Sequence, residues 1–461
     1  MAEPGSFPTL DDDRKRGRAL RSEIKRSAHG KFHPTQRDPV WIIEQQNESR
    51  IQQLVPVRIG RMLQSRFAYY RGTAATMAFD LSKESNTDVN VIICGDAHAA
   101  NFGLFAAPDR RVLFDLNDFD EAGPGPWEWD VKRLVTSIEV GYRHRGFTPE
   151  QAEAACLTAA RTYRTRLAEL TELSTAERYF KRAEMDDISA MAVDERGRKL
   201  IAKTVKKASR RTSEQVLGKI VTTTEDGKPR IQDQPPILQH FEDVMSRDEI
   251  QQVYDRYLQT LRPDIALLLS NFELVDYALR VVGVGSVGTR CAILLLIGPQ
   301  GEPLFIQLKE ADKSVLETWG GVPPAPLAGL GGSHEPSNGY RVVSTQQVLQ
   351  AASDPFLGWI GDVRGFDYYV RQFRDMKGSA DLDTLTVTQF ENYGAICGAL
   401  LARAHSQSPG WAAITGYLGN SDSFDRAVAS WSKSYADQAE RDFEALEQAV
   451  KSGRLPAETG V

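Results

Sequence analysis

The stretch CGDAHAANFG, residues 94–103, sets Asp96, His98 and Asn101 within six residues and between glycines. Three chemistries use a loop of this kind: a metal site, a turn held by polar side chains, and the catalytic loop of a phosphoryl-transfer enzyme. Aspartate and asparagine hold turns readily, so the turn reading stands on its own terms. A zinc site built on His98 lacks a second histidine at ligand spacing. Phosphoryl transfer needs a carboxylate to orient the attacking hydroxyl, and a carboxylate and an amide oxygen to hold Mg²⁺. It also needs a lysine and a glycine-rich loop to position the nucleotide. Asn101 follows Asp96 by five residues, and the next apolar run, RRVLFDLNDFD (110–120), carries Asp115, Asp118 and Asp120. Magnesium keeps several waters, so one aspartate and one asparagine suffice as protein ligands. His98 is either a hydrogen-bonded structural histidine or a group that orients the loop.

Working outward, VNVIICGD (89–96) is an apolar run that predicts a buried strand delivering the loop at its end. RRVLFDLNDFD predicts a second strand, EAGPGPW a turn, and DVKRLVTSIEVGY a helix with Val131, Leu134, Val135, Ile138 and Tyr142 on one face. Helical spacing continues through 150–170. Upstream, 56–81 predicts one or two helices. There Arg58, Arg61, Arg66 and Arg71 interleave with Phe67, Tyr69 and Tyr70. Those arginines serve either packing and salt bridges or an anionic or aromatic substrate. Residues 1–35 are polar and basic, a short helix or an arm, and 181–235 is a charged, exposed insertion. Helix returns at 249–261.

The pattern changes at 281. VVGVGSVGTRCAILLLIGPQGEPLFIQLKEA gives three strand-like runs: one holding the glycines, then CAILLLI, then LFIQLKEA after a PQGEP turn. Gly283, Gly285 and Gly288 form G-x-G-x-x-G with Ser286 inside it. A dinucleotide fingerprint requires a helix directly after its glycines, and here a strand follows. Strand, glycine turn, strand, turn and a third strand carrying Lys309 is the arrangement of a kinase nucleotide lobe. A plain hairpin with an edge-strand lysine is the alternative. A Pro/Gly-rich loop (320–332), a helix at STQQVLQAAS and a strand at 366–376 follow, with Arg371, Gln372 and Arg374 where a hinge would fall. The remainder is helical, with Tyr393, Ile396, Leu400 and Ala404 on one face and a last amphipathic helix near 423–451.

Bulk properties narrow the class. A chain of 461 residues, 41% hydrophobic and 26% charged, predicts a globular protein of two or three domains. A net charge of −6 gives no basic field for nucleic acid. Four dispersed cysteines in apolar surroundings predict reduced, buried thiols. No window suits a membrane span and the N-terminus has no apolar signal core, so a cytoplasmic location is expected.

GDAHAAN (95–101) resembles the catalytic loop of the aminoglycoside and choline kinase branch of the protein-kinase-like superfamily. NDFDEAGPGPWEWDV (117–131) resembles that branch's metal-binding strand and turn, and ALLARAHS resembles the helix shortly before its catalytic loop. The resemblance implies Asp96 as catalytic base with His98 beside it, Asn101 and Asp118 as metal ligands, and Asp130 as a structural anchor, with ATP and Mg²⁺ as cofactors. Asp115 and Asp120 would be supporting or spare ligands. Gly283, Gly285, Ser286, Gly288 and Lys309 would hold the nucleotide. Over most of its length the chain also resembles a bacterial family, domain of unknown function family 2252. The matching stretches are PVRIGRMLQSRFAYYRGTAATMAFDL, GDAHAANFG, FDLNDFDEAGPGPWEWDVKRL, YYVRQFRDMKGS and YADQAERDFEAL.

In ordinary kinases the nucleotide lobe precedes the catalytic loop, whereas here it follows. The expectation is therefore an α+β, two-lobe, protein-kinase-like fold that is circularly permuted. It comprises a helical extension (1–88), a first large-lobe segment (89–270), a small β-rich lobe (271–379) and a second large-lobe segment (380–461). Permutation requires Lys309 within a nucleotide's length of Asp118. The lysine usually pairs with a glutamate on the next helix. Glu317, eight residues on, is an ambiguous match. Phosphotransfer to a hydroxyl of a small molecule is the leading expectation. Adenylyl transfer and a silent nucleotide-binding regulator stay open, as does the oligomeric state.

Overall fold

A computed structural model describes residues 9–184, 195–210, 213–225, 227–240, 246–281, 283–324, 337–373 and 376–460. Five helices come first: α1 (Leu10–Glu23), α2 (Pro39–Asn47), α3 (Val55–Met62), α4 (Arg66–Arg71) and α5 (Ala74–Leu81). Local chemistry starts them. Thr9 and Asp12 form a reciprocal capping box, and Asp38 caps α2 with Pro39 in its first turn. The basic stretch 14–26 is thus mostly helix. It lies so close to the C-terminal part of the chain that a Cβ at Gly17 would sit 1.9 Å from the Ala413 carbonyl oxygen. Residues 56–81 fold as three short helices, because Ser65 caps α4 and separates it from α3.

Two antiparallel ribbons follow. β1 (Asn90–Ile93) pairs with β4 (Gly123–Pro126), and β2 (Phe102–Ala106) with β3 (Val112–Leu116). β4 leads directly into α6 (Trp127–His144), followed by α7 (Pro149–Glu169) and α8 (Thr175–Phe180). α6 is buried on nearly every side. Its apolar face joins α7 and the later helix α15 (below) in the largest core.

Within 181–235, residues 185–194, 211–212 and 226 lie outside the described set, as does most of the 320–332 loop. The described part holds α9 (Glu195–Ser209), α10 (Ser213–Ile220) and the hairpin β5 (Val221–Thr223) with β6 (Pro229–Ile231). It is not wholly solvated: Val216 and Ile231 enter a core with Ile293, Leu295 and Phe305.

The main sheet has the order β11-β12-β10-β9-β8-β7, antiparallel throughout. Its strands are β7 (Leu238–Gln239), β8 (Glu273–Arg280), β9 (Cys291–Ile297), β10 (Pro303–Ala311), β11 (Gly358–Val363) and β12 (Phe366–Gln372). CAILLLI is apolar at every position because both sheet faces are covered. Leu294 and Leu296 meet Tyr254 and Tyr257 of α11 (Arg247–Leu258), while Ile293 and Leu295 face the opposite core. The first strand of this region is 273–280, not the glycine run. Gly283 and Gly288 have φ of 68° and 89°, values that a ladder strand cannot keep. β11 was not anticipated. The helix expected at STQQVLQAAS begins earlier, where Ser337 caps it.

The remaining helices are α12 (Pro263–Leu269), α13 (Val315–Thr318), α14 (Asn338–Leu349), α15 (Val387–His405), α16 (Ala412–Leu418) and α17 (Ser423–Lys451). The class is mixed α+β, as read from the sequence. All four cysteines are buried and free. Among the described residues no helix is long and apolar enough to cross a membrane.

Candidate functional site

β1 stops at Ile93 because the next two amides leave the ladder. Cys94 N–H and Gly95 N–H donate to Oδ2 and Oδ1 of Asp130, at 2.7 and 2.9 Å. Asp130 sits in the first turn of α6, 1% exposed, and its Oδ2 also meets His405 Nε2 at 3.2 Å. Tyr163 Oη contacts the other ring nitrogen of His405 at 2.8 Å. Gly95 turns the chain with φ of 74°, and a Cβ there would lie 2.4 Å from the Glu121 carbonyl oxygen. Only glycine fits.

Asn101 ties this turn to the end of β3. Its Oδ1 accepts Asp118 N–H at 2.7 Å, and its Nδ2 donates to the carbonyls of Asp96 and Asp118 at 3.0 and 3.1 Å. Asp96 is thereby presented beside Arg133, whose Nε donates to Oδ1 at 2.8 Å. Arg133 is held in turn by the Tyr70 carbonyl at 2.7 Å and lies 4.0 Å over the Tyr70 ring. Burial pushes the Asp96 carboxyl up to about 6, against the pull of Arg133. His98 Nε2 is 3.7 Å from Asp96 Oδ2. Burial, reinforced by Arg71 and Arg133, holds His98 well below the usual histidine range and therefore neutral.

On the opposite side, β10 presents Lys309, 2% exposed. Its Nζ is 3.5 Å from Asp118 Oδ1 and in close contact with Asp120 Oδ2. Tyr369, the cross-strand neighbour of Lys309, donates its hydroxyl to Asp120 Oδ1 at 2.7 Å. Ser286 Oγ donates to Asp120 Oδ2 at 3.4 Å. Burial raises the Asp118 carboxyl, but Lys309 and then Arg371 outweigh it and hold the group down at about 2.

These groups line one cleft of about 620 Å³. Asp96, His98, Asn101, Asp118, Asp120, Gly283, Gly285 and Ser286 border it, and the Lys309 ammonium reaches its aspartates. Gly288 lies at the far end of the loop, where its carbonyl accepts Ile51 N–H at 2.8 Å. Three expected residues stand apart. Asp115 accepts Ala351 N–H at 2.9 Å and is structural. Asp130 braces the loop from beneath. Glu317 pairs with Lys313 at 3.4 Å rather than with Lys309. Arg371 reaches the Asn117 carbonyl at 3.3 Å and borders the cleft, Gln372 N–H bonds Asp354, and Arg374 lies outside the described residues.

The N-terminal helices contribute more than was expected. Arg61 donates to the Gly283 carbonyl at 2.6 Å, Arg66 pairs with Glu440 at 2.7 Å, and Arg58 and Arg71 border the cleft. Sequence reasoning missed Arg133, Tyr369 and Glu121. Glu121 borders the cleft, accepts Val315 N–H at 2.7 Å, and burial raises its carboxyl to about 7. For Tyr369 a signal existed: period-two spacing puts it on the strand face that carries Arg371.

Among the described residues no three histidine, cysteine or carboxylate side chains form a metal cluster. The donor set still fits a weakly ligated Mg²⁺. The Asp118 side chain is 47% exposed, and Asn101 Oδ1 keeps one lone pair beyond its bond to Asp118 N–H.

A family model described as an uncharacterized protein conserved in bacteria (DUF2252) matches residues 50–449, and the chain belongs to that family. No curated protein and no solved structure matches it.

Proposed function

We propose that the protein is an ATP- and Mg²⁺-dependent phosphotransferase acting on a hydroxyl of a small molecule, with a circularly permuted, protein-kinase-like fold. In this reading β7–β12 are the nucleotide lobe, and residues on both sides of it in sequence make the catalytic lobe. One observation carries the reading: Lys309, distant in sequence from Asp118, comes within 3.5 Å of it across the cleft. The glycine loop meets the same aspartate pair through Ser286.

The roles follow from the contacts. Asp96, ionised at neutral pH with a carboxyl near 6, accepts the proton of the acceptor hydroxyl. Arg133 fixes its orientation, and neutral His98 adds no competing charge. Lys309 turns from Asp118 to the nucleotide phosphates while keeping Asp120 as its partner. Asp120, anchored by Tyr369, does for the lysine what a helix glutamate does in ordinary kinases. Asp118, with the remaining Asn101 lone pair, would hold Mg²⁺, which neutralises phosphate charge when bound. The backbone of 283–288 covers the phosphates. Positioning and fixed charges supply most of the rate.

Mg·ATP should raise the melting temperature, and Asp118→Ala should remove the metal-dependent part of that rise. No rise in the wild-type chain rejects the nucleotide site. Intact-mass measurement after incubation with candidate acceptors then separates phosphate transfer from AMP transfer.

A further inference from the structure

Arg71, at the end of α4, borders the cleft, yet its side chain makes no hydrogen bond or ion pair among the described residues. Its Nε is buried without a partner, and the carboxylates whose charge it feels are Asp96 first and Asp118 second. Behind it, Arg58 is wholly buried and among the described residues bonds only neutral groups: Asn47 Oδ1 at 2.5 Å, Gln46 Oε1 at 3.2 Å and the Gly72 carbonyl at 3.5 Å. Arg58 Nε is partnerless too, as is His98 Nδ1 in the same cleft. Arg50, in the bend after α2, donates to the carbonyls of Gln46 and Val287 and feels the charge of Glu121 first and Glu310 second.

Buried arginines elsewhere find partners of two kinds: Arg178 and Arg403 rest on main-chain carbonyls, and others on carboxylates. Arg37 has Asp80 and Asp442, Arg133 has Asp96, and Arg164 has Asp425. Arg71 has neither among the described residues, and a buried guanidinium nitrogen with neither counter-ion nor hydrogen bond is unfavourable unless a ligand supplies one. Here Arg58 of α3 and Arg71 of α4 border the same cleft.

We infer that this part of the cleft binds an anionic group of the acceptor. The substrate carries a phosphate or carboxylate in addition to the hydroxyl that is modified, and Arg71 contacts that anion while Arg58 sets the positive field behind it. The inference rests on the phosphotransferase reading for the word acceptor, but the anion site itself does not depend on it. Position favours the acceptor over the nucleotide. Asp96, where the reacting hydroxyl must lie, is the carboxylate whose charge Arg71 feels most. Arg71 also runs past the glycine loop, its carbonyl oxygen 3.8 Å from where a Gly285 Cβ would stand, so the nucleotide's own phosphates are the competing occupant. Guanidinium geometry suits both oxyanions.

Calorimetric titration with inorganic phosphate, and separately with succinate, at constant ionic strength against chloride is the test. At least one of the two should bind saturably to the wild-type chain and bind equally well when a non-hydrolysable Mg·ATP analogue is present. Arg71→Gln should weaken that binding by about tenfold or more, and Arg71→Lys should fall between. Thermal melts of both variants show that they fold. If neither anion binds better than chloride, the proposal is overturned. Displacement of the anion by the Mg·ATP analogue also overturns it, since the arginines would then hold the nucleotide's own phosphates. Anion binding without any nucleotide binding supports the site and rejects the nucleotide reading alone.

Discussion

Asp96 is a carboxylate kept in a place that disfavours its charge. Its folded pKa, about 6, lies above the unfolded value of 3.8, so ionisation in the folded chain is the harder of the two. The sign follows: this group's contribution is most favourable below pH 3.8 and is lost as pH rises toward 6. The loss amounts to about 2–3 kcal/mol. Asp96→Asn should therefore melt no lower than wild type at pH 5 and higher at pH 8. Turnover should fall by about 10²–10⁴-fold while Mg·ATP binding persists. Wild-type turnover should show an acid limb near pH 6. A variant that melts lower at pH 8 would mean that Arg133 depends on the carboxylate more than burial penalises it. Lys309 is the converse case. Its removal leaves Asp118 and Asp120, both partly exposed, facing each other, so Lys309→Met should cost about 1–3 kcal/mol in urea unfolding. Asp120→Asn added to it should recover part of that loss. An additive double variant would deny the coupling.

At the scale of elements, the 94–101 loop is held by the junction of β1, α6 and α15 through one carboxylate. Asp130→Ala strands the amides of Cys94 and Gly95 and leaves His405 without its acceptor. A loss of about 3 kcal/mol in stability, with faster amide exchange at Gly95, is the expected result. Unchanged exchange there would mean that Asn101 alone fixes the turn. Asp130 was legible only through the resemblance of NDFDEAGPGPWEWDV to the metal-binding strand and turn of the aminoglycoside and choline kinase branch. β9 and β10 were legible because their apolar runs are long and bounded by turns. The strand before them was misplaced because VVGVG looks extended by composition, while the positive φ of Gly283 and Gly288 forbids it. Asp115 and Asp120 look alike in FDLNDFD. They part company only through register: β3 ends at Leu116, and Asp115 turns to the amide of Ala351. The arginines of α3 and α4 could not be assigned from sequence, since whether each has a carboxylate partner depends on helices far along the chain.

At the scale of the whole molecule, the two ends of the chain are fastened together, and the glycine loop is fastened to them. Glu458 N–H bonds the Pro56 carbonyl at 2.8 Å, and a Cβ at Gly60 would sit 1.7 Å from the Glu458 carbonyl oxygen. Nearby, Arg61 and Arg50 donate to the carbonyls of Gly283 and Val287. The N-terminal helices are thus part of the cleft rather than an appendage. A buried polar tie to α17 is Arg37, just ahead of α2, whose guanidinium is 2.7 Å from both Asp80 and Asp442. Tyr435 Oη adds a bond to Asp80 at 2.9 Å. Arg37→Ala would leave two buried carboxylates without a cation, a loss of about 3–5 kcal/mol. Arg454, which joins Asp38 and Glu44 at the surface, should cost less than about 1 kcal/mol on replacement by alanine. The comparison is informative because both arginines tie the N-terminal helices to the C-terminal end, and only one does so out of water. If the helices set the loop, Arg37→Ala should also speed amide exchange across 283–288 under native conditions and shrink the melting shift given by Mg·ATP, whereas Arg454→Ala should do neither. Equal loop exchange in the two variants would show that the loop holds its shape from the sheet alone, and that the N-terminal helices lend the cleft their arginines without governing its glycines.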